Sequence, residues 1–338
     1  MRIGLISTPW IPVPPPSYGG TEAVVDRLAR GLTAAGHDVV LAATGDSTCP
    51  VPTVPATLRA SPALMGESSV ALAHVVNSYD ALRDRDLVHD HTTVGPLYRH
   101  RPGNLPVVTT NHNPFTAEWA TVYRAISQDV PIIAISEDHA RTAGTIPIAA
   151  VILHGLDVES VPLGTGSGGY AVFLGRMCAD KGVREAILCA RRVGVPLQIA
   201  AKMQSPEERQ YFYEVVEPLL GRDVEFVGEL GPKEKYDLLG DAFVAINPAQ
   251  WAEPFGLVTV EALATGTPVV GTRWGSTPEL ILDGITGFMR DDIGGLSDAV
   301  LAAADLDRSA CRRDAEERFS TARMVEDHVR FYREVLDA

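Results

Sequence analysis

Cationic side chains are in deficit. The chain has 29 Lys and Arg against 43 Asp and Glu, a net charge of −14. That balance argues against a nucleic-acid partner and against a generally basic membrane face. A phosphate-bearing ligand would need a few cations placed locally for it. No run of 18 apolar residues exists, so no transmembrane helix is expected. The opening Met1-Arg2-Ile3-Gly4-Leu5-Ile6 reads as a buried strand and lacks the apolar stretch and cleavage site of a signal peptide. Cysteine is scarce too. Cys49, Cys178, Cys189 and Cys311 are scattered with no Cys-x-x-Cys pair, the usage of free thiols in a reducing cytoplasm. A soluble cytoplasmic protein is the expectation.

What is present is ample apolar material, 46% of 338 residues, enough for two domains with a core each. Residues 3–7 read as a strand. A Pro-rich loop follows, ending Tyr18-Gly19-Gly20, and Thr21 is placed to cap a helix with Val24, Val25, Leu28 and Leu32 on one face. Gly36 ends it before a second strand at 39–43. Strand, helix, strand at this spacing is a βαβ unit and implies a parallel sheet. Further strands are expected at 86–91, 105–111 and 131–136, with 46–66 an irregular connection. Leu163 to Gly169 is the linker expected to be flexible. The alternation then restarts, with strands near 170–174, 197–201, 224–227, 243–247 and 268–271 and helices near 182–193, 206–220, 233–239 and 256–264. The predicted organisation is a first domain over 1–160, completed by a C-terminal helix at 320–338, and a second over 170–319. Both are doubly wound α/β folds.

Gly164-Thr165-Gly166-Ser167-Gly168-Gly169 satisfies G-x-G-x-x-G but precedes a strand, whereas a dinucleotide fingerprint follows one. A nicotinamide cofactor is therefore disfavoured. Gly175-Arg176-Met177-Cys178-Ala179-Asp180-Lys181-Gly182 does follow a strand and leads into a helix. Arg176 and Lys181 flank this loop and can converge on one anion, and a diphosphate needs two cations or a metal. Two surface cations on a solvated loop are the plain alternative. In Glu253-Pro254-Phe255-Gly256-Leu257-Val258-Thr259-Val260-Glu261 a loop feeds a helix at about Gly256. Free N–H groups of Gly256 and Leu257 suit a phosphate. Glu253 can accept from sugar hydroxyls. Glu261, one turn after Leu257, can hold a ribose diol or simply pair with a nearby cation. His89-Asp90-His91 invites a metal reading, but loop cations already serve the phosphates, so strand-end polar groups are the better account. Trp119 and Tyr123 are either an acceptor platform or helix core. Cys178, inside the phosphate loop, is a reactive thiol or a small filler.

Together, Gly-Arg-x4-Lys-Gly after a strand and Glu-x7-Glu about 70 residues later resemble the retaining glycosyltransferases of family GT4. The resemblance spans almost the whole chain. Tyr18-Gly19-Gly20 looks like that family's glycine loop, and Thr109-Thr110-Asn111-His112 like its strand-end histidine motif. His154-Gly155-Leu156-Asp157 resembles its Asn-Gly-Val-Asp, with His in place of Asn. Residues 271–279 and 283–288 match its closing segments. The resemblance implies the GT-B fold, two Rossmann-like domains facing across a donor-binding cleft, with the last helix crossing back to the first domain. It implies that Gly19 and Gly20 lie by the donor phosphates, that Arg176 and Lys181 hold the diphosphate, and that His112 and Glu253 contact the transferred sugar. Phe255, Gly256 and Leu257 would form the donor loop, Glu261 would hold the ribose, and Lys202, Glu229 and Leu230 would lie near the base. The implied reaction moves a hexosyl group, from UDP first and GDP second, to a hydroxyl of a small-molecule or glycan acceptor. The nucleotide sugar is a substrate, and neither cofactor nor metal is required. A nucleotide-sugar epimerase or phosphorylase of the same fold, or a non-catalytic nucleotide-sugar-binding protein, are the alternatives.

Overall fold

A computed structural model describes residues 1–17 and 19–338; Tyr18, which opens the expected glycine loop, lies outside the described residues. The chain forms two compact units. One comprises Met1–Leu156 with Thr321–Ala338, the other Asp157–Ser320.

The first unit is built on seven parallel strands: β1 (Arg2–Ile6), β2 (Asp38–Thr44), β3 (Thr53–Thr57), β4 (Leu87–Asp90), β5 (Val107–Thr110), β6 (Ile132–Ala134) and β7 (Ala150–Val151). Their order is β3-β2-β1-β4-β5-β6-β7. Central strands read as unbroken apolar runs because helices cover both faces of such a sheet. Ile3, Leu5, Leu41, Val88 and Ile132 are accordingly fully buried. The helix Gly20–Ala34 buries Val24, Val25, Leu28 and Leu32. Its cap is Gly19, not Thr21 as expected. The first-turn acid Glu22 folds back instead, and Thr8 donates to it at 2.5 Å. The final helix, Thr321–Asp337, packs on this helix so closely that a Cβ on Gly31 would come within 2.6 Å of Val325. The expectation of an irregular 46–66 is corrected: Thr53–Thr57 pairs with β2 in register Leu41↔Thr53. Pro55 is tolerated because β3 is an edge strand.

The second unit has six parallel strands: β8 (Ala171–Arg176), β9 (Leu197–Lys202), β10 (Val224–Gly228), β11 (Val244–Asn247), β12 (Val269–Gly271) and β13 (Gly287–Met289), in the order β10-β9-β8-β11-β12-β13. Phe173, Ile187, Ile199, Val216 and Ile246 belong to its core. The expected continuous helix 206–220 is an α-helix only over Pro206–Tyr211; a π-turn and a 3-10 turn carrying Pro218 complete it. The expected flexible linker at 163–169 is also corrected. Gly164, Gly166 and Gly168 each donate a backbone N–H at 2.9 Å, to Thr265, Gly240 and Asp241. The glycines are there for proximity: a Cβ on Gly164 would stand 2.1 Å from the Gly240 backbone. Arg308 binds the seam, donating to the carbonyls of Gly164, Gly240 and Ala242 and to Thr267 Oγ1.

Each sheet reverses its winding direction once, between β1 and β4 in one unit and between β8 and β11 in the other. In doubly wound folds that switch point, at the carboxyl ends of the strands, is where ligands bind. No helix among the described residues is long and apolar enough to cross a membrane.

Candidate active site

In the second unit the strand ends assemble most of the singled-out residues. Arg176 closes β8, Lys202 closes β9 directly beside it in register, and Glu229 and Leu230 follow β10. Glu253 to Leu257 follow β11. Across the switch point the loops after β8 and β11 are locked together. Gln250 N–H donates to Asp180 O at 2.7 Å. Gly182 adopts φ 74°, and a Cβ there would meet Pro248 O at 2.0 Å, so both conformation and space demand glycine. The loop after β12 grips from the other side. Gly275, at φ 59°, has no room for a Cβ against the Glu253 backbone, and Ser276 N–H donates to Glu253 O at 3.0 Å.

These clamps bring Lys181 onto Glu253. Lys181 Nζ donates to Glu253 Oε1, with side-chain exposures of 9% and 19%, and also stands 5.4 Å from the centre of the Trp251 ring. Arg176 takes a different carboxylate, Glu208 Oε1 at 3.5 Å. Glu208 is fixed by a capping box at the start of the helix Pro206–Tyr211. Glu261 is buried on the helix Leu257–Ala264, where Lys235 donates to it at 2.6 Å. Gly256, at φ 97°, caps that helix and its carbonyl accepts from Thr259 N–H at 3.0 Å, while the N–H groups of Leu257 and Val258 precede the first intrahelical bond. Arg176 and Lys181 thus each carry a carboxylate beside them. Glu208, Lys235 and Trp251 were not anticipated. Only Trp251 had a sequence signal, its position two residues before Glu253.

In the first unit Gly19 and Gly20 open the first helix at the carboxyl end of β1. His112 follows β5 and belongs to a file of five imidazoles. His328 and His89 lie 5.3 Å apart by ring centre, His89 and His91 4.0 Å, His91 and His112 5.3 Å, His112 and His154 5.2 Å. His89 is held by Tyr332 OH at 2.7 Å and Thr110 Oγ1 at 2.8 Å. Burial pushes the file toward the neutral form, His112 down to about 3 and His328 to about 4. Asp90 is buried as well, which raises its carboxyl to about 6. Among the described residues no set of three His, Cys, Asp or Glu side chains is arranged to hold a metal ion. Tyr123 is core and packs near Ile126 and Ile132. Cys178 is a half-buried free thiol.

Comparison with known proteins follows the two units. Residues 18–160 match the family model "Glycosyltransferase Family 4", and residues 165–306 match "Glycosyl transferases group 1". Glycogen synthase of Mycobacterium tuberculosis is 26% identical, over 93% of this chain and 88% of its own. The crystal structure of AviGT4, a glycosyltransferase involved in avilamycin A biosynthesis, superposes with a TM-score of 0.78 at 26% identity, covering 99% of this chain and 98% of that one. HepE of Anabaena, solved in complex with UDP-glucose, shares the fold with a TM-score of 0.76 at 17% identity, each chain covered completely. Two Rossmann-like units, strand-end loops locked at a switch point and a family match over both halves lead to one conclusion: the chain belongs to the GT4 glycosyltransferases of GT-B fold and is a glycosyltransferase.

Proposed function

We propose that the protein is a retaining hexosyltransferase that takes its sugar from a nucleoside diphosphate, uridine in the first place and guanosine in the second, and passes it to a hydroxyl of a small-molecule or glycan acceptor without a metal ion. The observation that carries this is the Lys181–Glu253 pair, set on two locked loops at the β8/β11 switch point. A fixed cation there meets a diphosphate whose charge grows as the glycosidic bond breaks, and preorganised charge of that kind lowers the barrier. Arg176 and the open N–H groups at Gly256 and Leu257 share the load. Glu253, held by Lys181 on one oxygen, offers the other to sugar hydroxyls. Glu261 takes the ribose, and Lys202, Glu229 and Leu230 lie toward the base. The resemblance assigns His112 to the transferred sugar and Gly19 and Gly20 to the phosphates. Attack on the same face as departure lets a donor phosphate oxygen accept the proton of the acceptor hydroxyl, so no protein base is needed. HepE, similar in fold, was solved with UDP-glucose, which supports the uridine choice.

The test is thermal stability with uridine, guanosine and adenosine diphosphates and their sugar conjugates, without added metal. Binding to the native state alone adds about 2.7 kcal/mol at a hundredfold excess over Kd. No shift with any of them sinks the donor assignment, and a shift abolished by EDTA sinks the metal-free mechanism. Product analysis separates transfer, which yields a new glycoside, from epimerisation, which yields only an isomerised nucleotide sugar.

A further inference from the structure

His91 Nδ1 lies 3.0 Å from His112 Nε2. Both rings sit among other imidazoles and carry depressed basicity from burial, so both are neutral and each has one N–H. Only one proton can lie between two nitrogens in contact, which leaves two arrangements. If His112 Nε2 donates, the His91 proton sits on Nε2. That atom is shut away from water with no hydrogen-bond partner among the described residues, on a residue only 5% exposed. If His91 Nδ1 donates, the His91 Nε2 left behind is a bare lone pair. A buried N–H without a partner is rarer and costlier than an under-used acceptor. The second arrangement makes His112 Nε2 the acceptor and puts the His112 proton on Nδ1. His112 is half-buried, so its N–H is left at an atom that is not sealed in. His154 stacks against the same ring, with planes 21° apart and centres 5.2 Å apart.

We propose that His91 is a positioning residue that fixes His112 in its Nδ1–H tautomer, so that His112 presents a hydrogen-bond donor, and not a bare nitrogen, to an oxygen of the bound sugar. The sugar part rests on the proposed function, in which His112 contacts the transferred hexose; the tautomer part stands on the His91–His112 contact alone. The same logic of a neighbour dictating which nitrogen carries the proton governs catalytic and metal-bound histidines generally.

The tautomer is read directly by nitrogen NMR of the full chain with labelled imidazoles, the His112 signals being assigned by their loss in His112→Gln. The wild type should show a proton on His112 Nδ1. His91→Asn places an amide N–H close to where Nδ1 stood and should leave that pattern intact. His91→Leu removes the donor and should return His112 to the Nε2–H form that free imidazoles favour. In transfer assays His91→Leu should lower kcat on the order of tenfold, the usual scale for loss of an orienting partner, with affinity for the free nucleoside diphosphate unchanged, while His91→Asn stays close to wild type. A proton on His112 Nε2 in the wild type overturns the proposal, as does equal loss of kcat in the Asn and Leu variants. If the wild type transfers no hexose from any nucleotide sugar, the functional reading and the sugar contact fail together; the spectrum still decides the tautomer.

Discussion

A lysine and a glutamate that touch in a nearly dry site cannot be removed one at a time without side effects. Lys181→Ala leaves Glu253 charged and unpaired behind two locked loops, and breaking a buried pair in this way costs about 3 kcal/mol of stability. Lost turnover in that variant would mix chemistry with folding. Arg176 is the cleaner probe. Its side chain is 39% exposed and its contact with Glu208 is long, so Arg176→Ala should change stability by less than about 1 kcal/mol. If it stabilises the departing diphosphate, turnover should still fall on the order of a hundredfold, with a much smaller loss in donor affinity. Arg176→Lys should rescue only in part, because a point charge does not reproduce a planar fork. Near-normal turnover in Arg176→Ala, with stability preserved, would remove the diphosphate role. The two glutamates should also part company. Glu261→Ala should weaken binding of the free nucleoside diphosphate, since the ribose belongs to it. Its partner Lys235 is half-buried, with its ammonium 4.8 Å from the centre of the Tyr236 ring. Glu253→Ala should leave that binding nearly intact and lower turnover, as expected of a group that touches only the sugar. Equal losses of nucleotide affinity in both variants would contradict the separate roles.

At the scale of elements, legibility followed the physical strength of each signal. The strands β1, β2, β8 and β11 are runs of apolar residues bounded by turns, and they were readable. So were the loops after β8 and β11, because a glycine at each end of a cationic loop and a Glu-x7-Glu at a helix start are unusual combinations. The strand β3 was not readable, since Thr53-Val54-Pro55-Ala56-Thr57 has a proline at its centre and only its edge position permits it. Nor were β7 and β13, at two and three residues. The partners Glu208 and Lys235 come from distant segments, and no spacing in the chain encodes such contacts. Gly164 to Gly169 shows the limit of composition: glycine is used both where a chain must be loose and where two backbones must touch. The two cases respond oppositely to a methyl group. Gly164→Ala should lower stability by about 1–3 kcal/mol, the range for overpacking, because Gly240 blocks it. Gly103→Ala, with open space around it, should be neutral or slightly stabilising by loss of unfolded-state freedom. Urea midpoints of the two variants decide it, and a Gly164→Ala protein as stable as wild type would restore the flexible linker.

All nine histidines of the molecule lie in the first unit, and residues 157–320 contain none. Eight of the nine, His37, His74, His89, His91, His112, His139, His154 and His328, have their basicity depressed with burial as the largest cause, His74 and His328 to about 4 and His112 to about 3. A depressed histidine contributes stability that is fully present above its ordinary value of 6.5, and this is lost as pH falls toward the folded value, because the unfolded chain takes up a proton the native state refuses. At pH 5 a histidine with a folded value near 4 or below, as at His74, His112 and His328, removes about 2 kcal/mol, from 1.36 kcal/mol per unit over about 1.5 units. Three of them already remove about 6 kcal/mol, comparable to the whole stability of an ordinary domain. Asp90 works the other way. Its raised carboxyl, at about 6, keeps a proton in the native state that the unfolded chain has released, so it adds stability as pH falls toward 4, and a single group cannot offset several histidines. The first unit should therefore unfold cooperatively between about pH 6 and pH 4, with a steep, several-proton dependence. The second unit, free of histidine, should persist over that range. Hydrogen exchange resolved by peptide across the pH series measures both units in one sample. Protection lost together in 157–320 and in 1–156, or a first-unit transition that takes up only one proton, would show that the buried histidines do not govern acid stability.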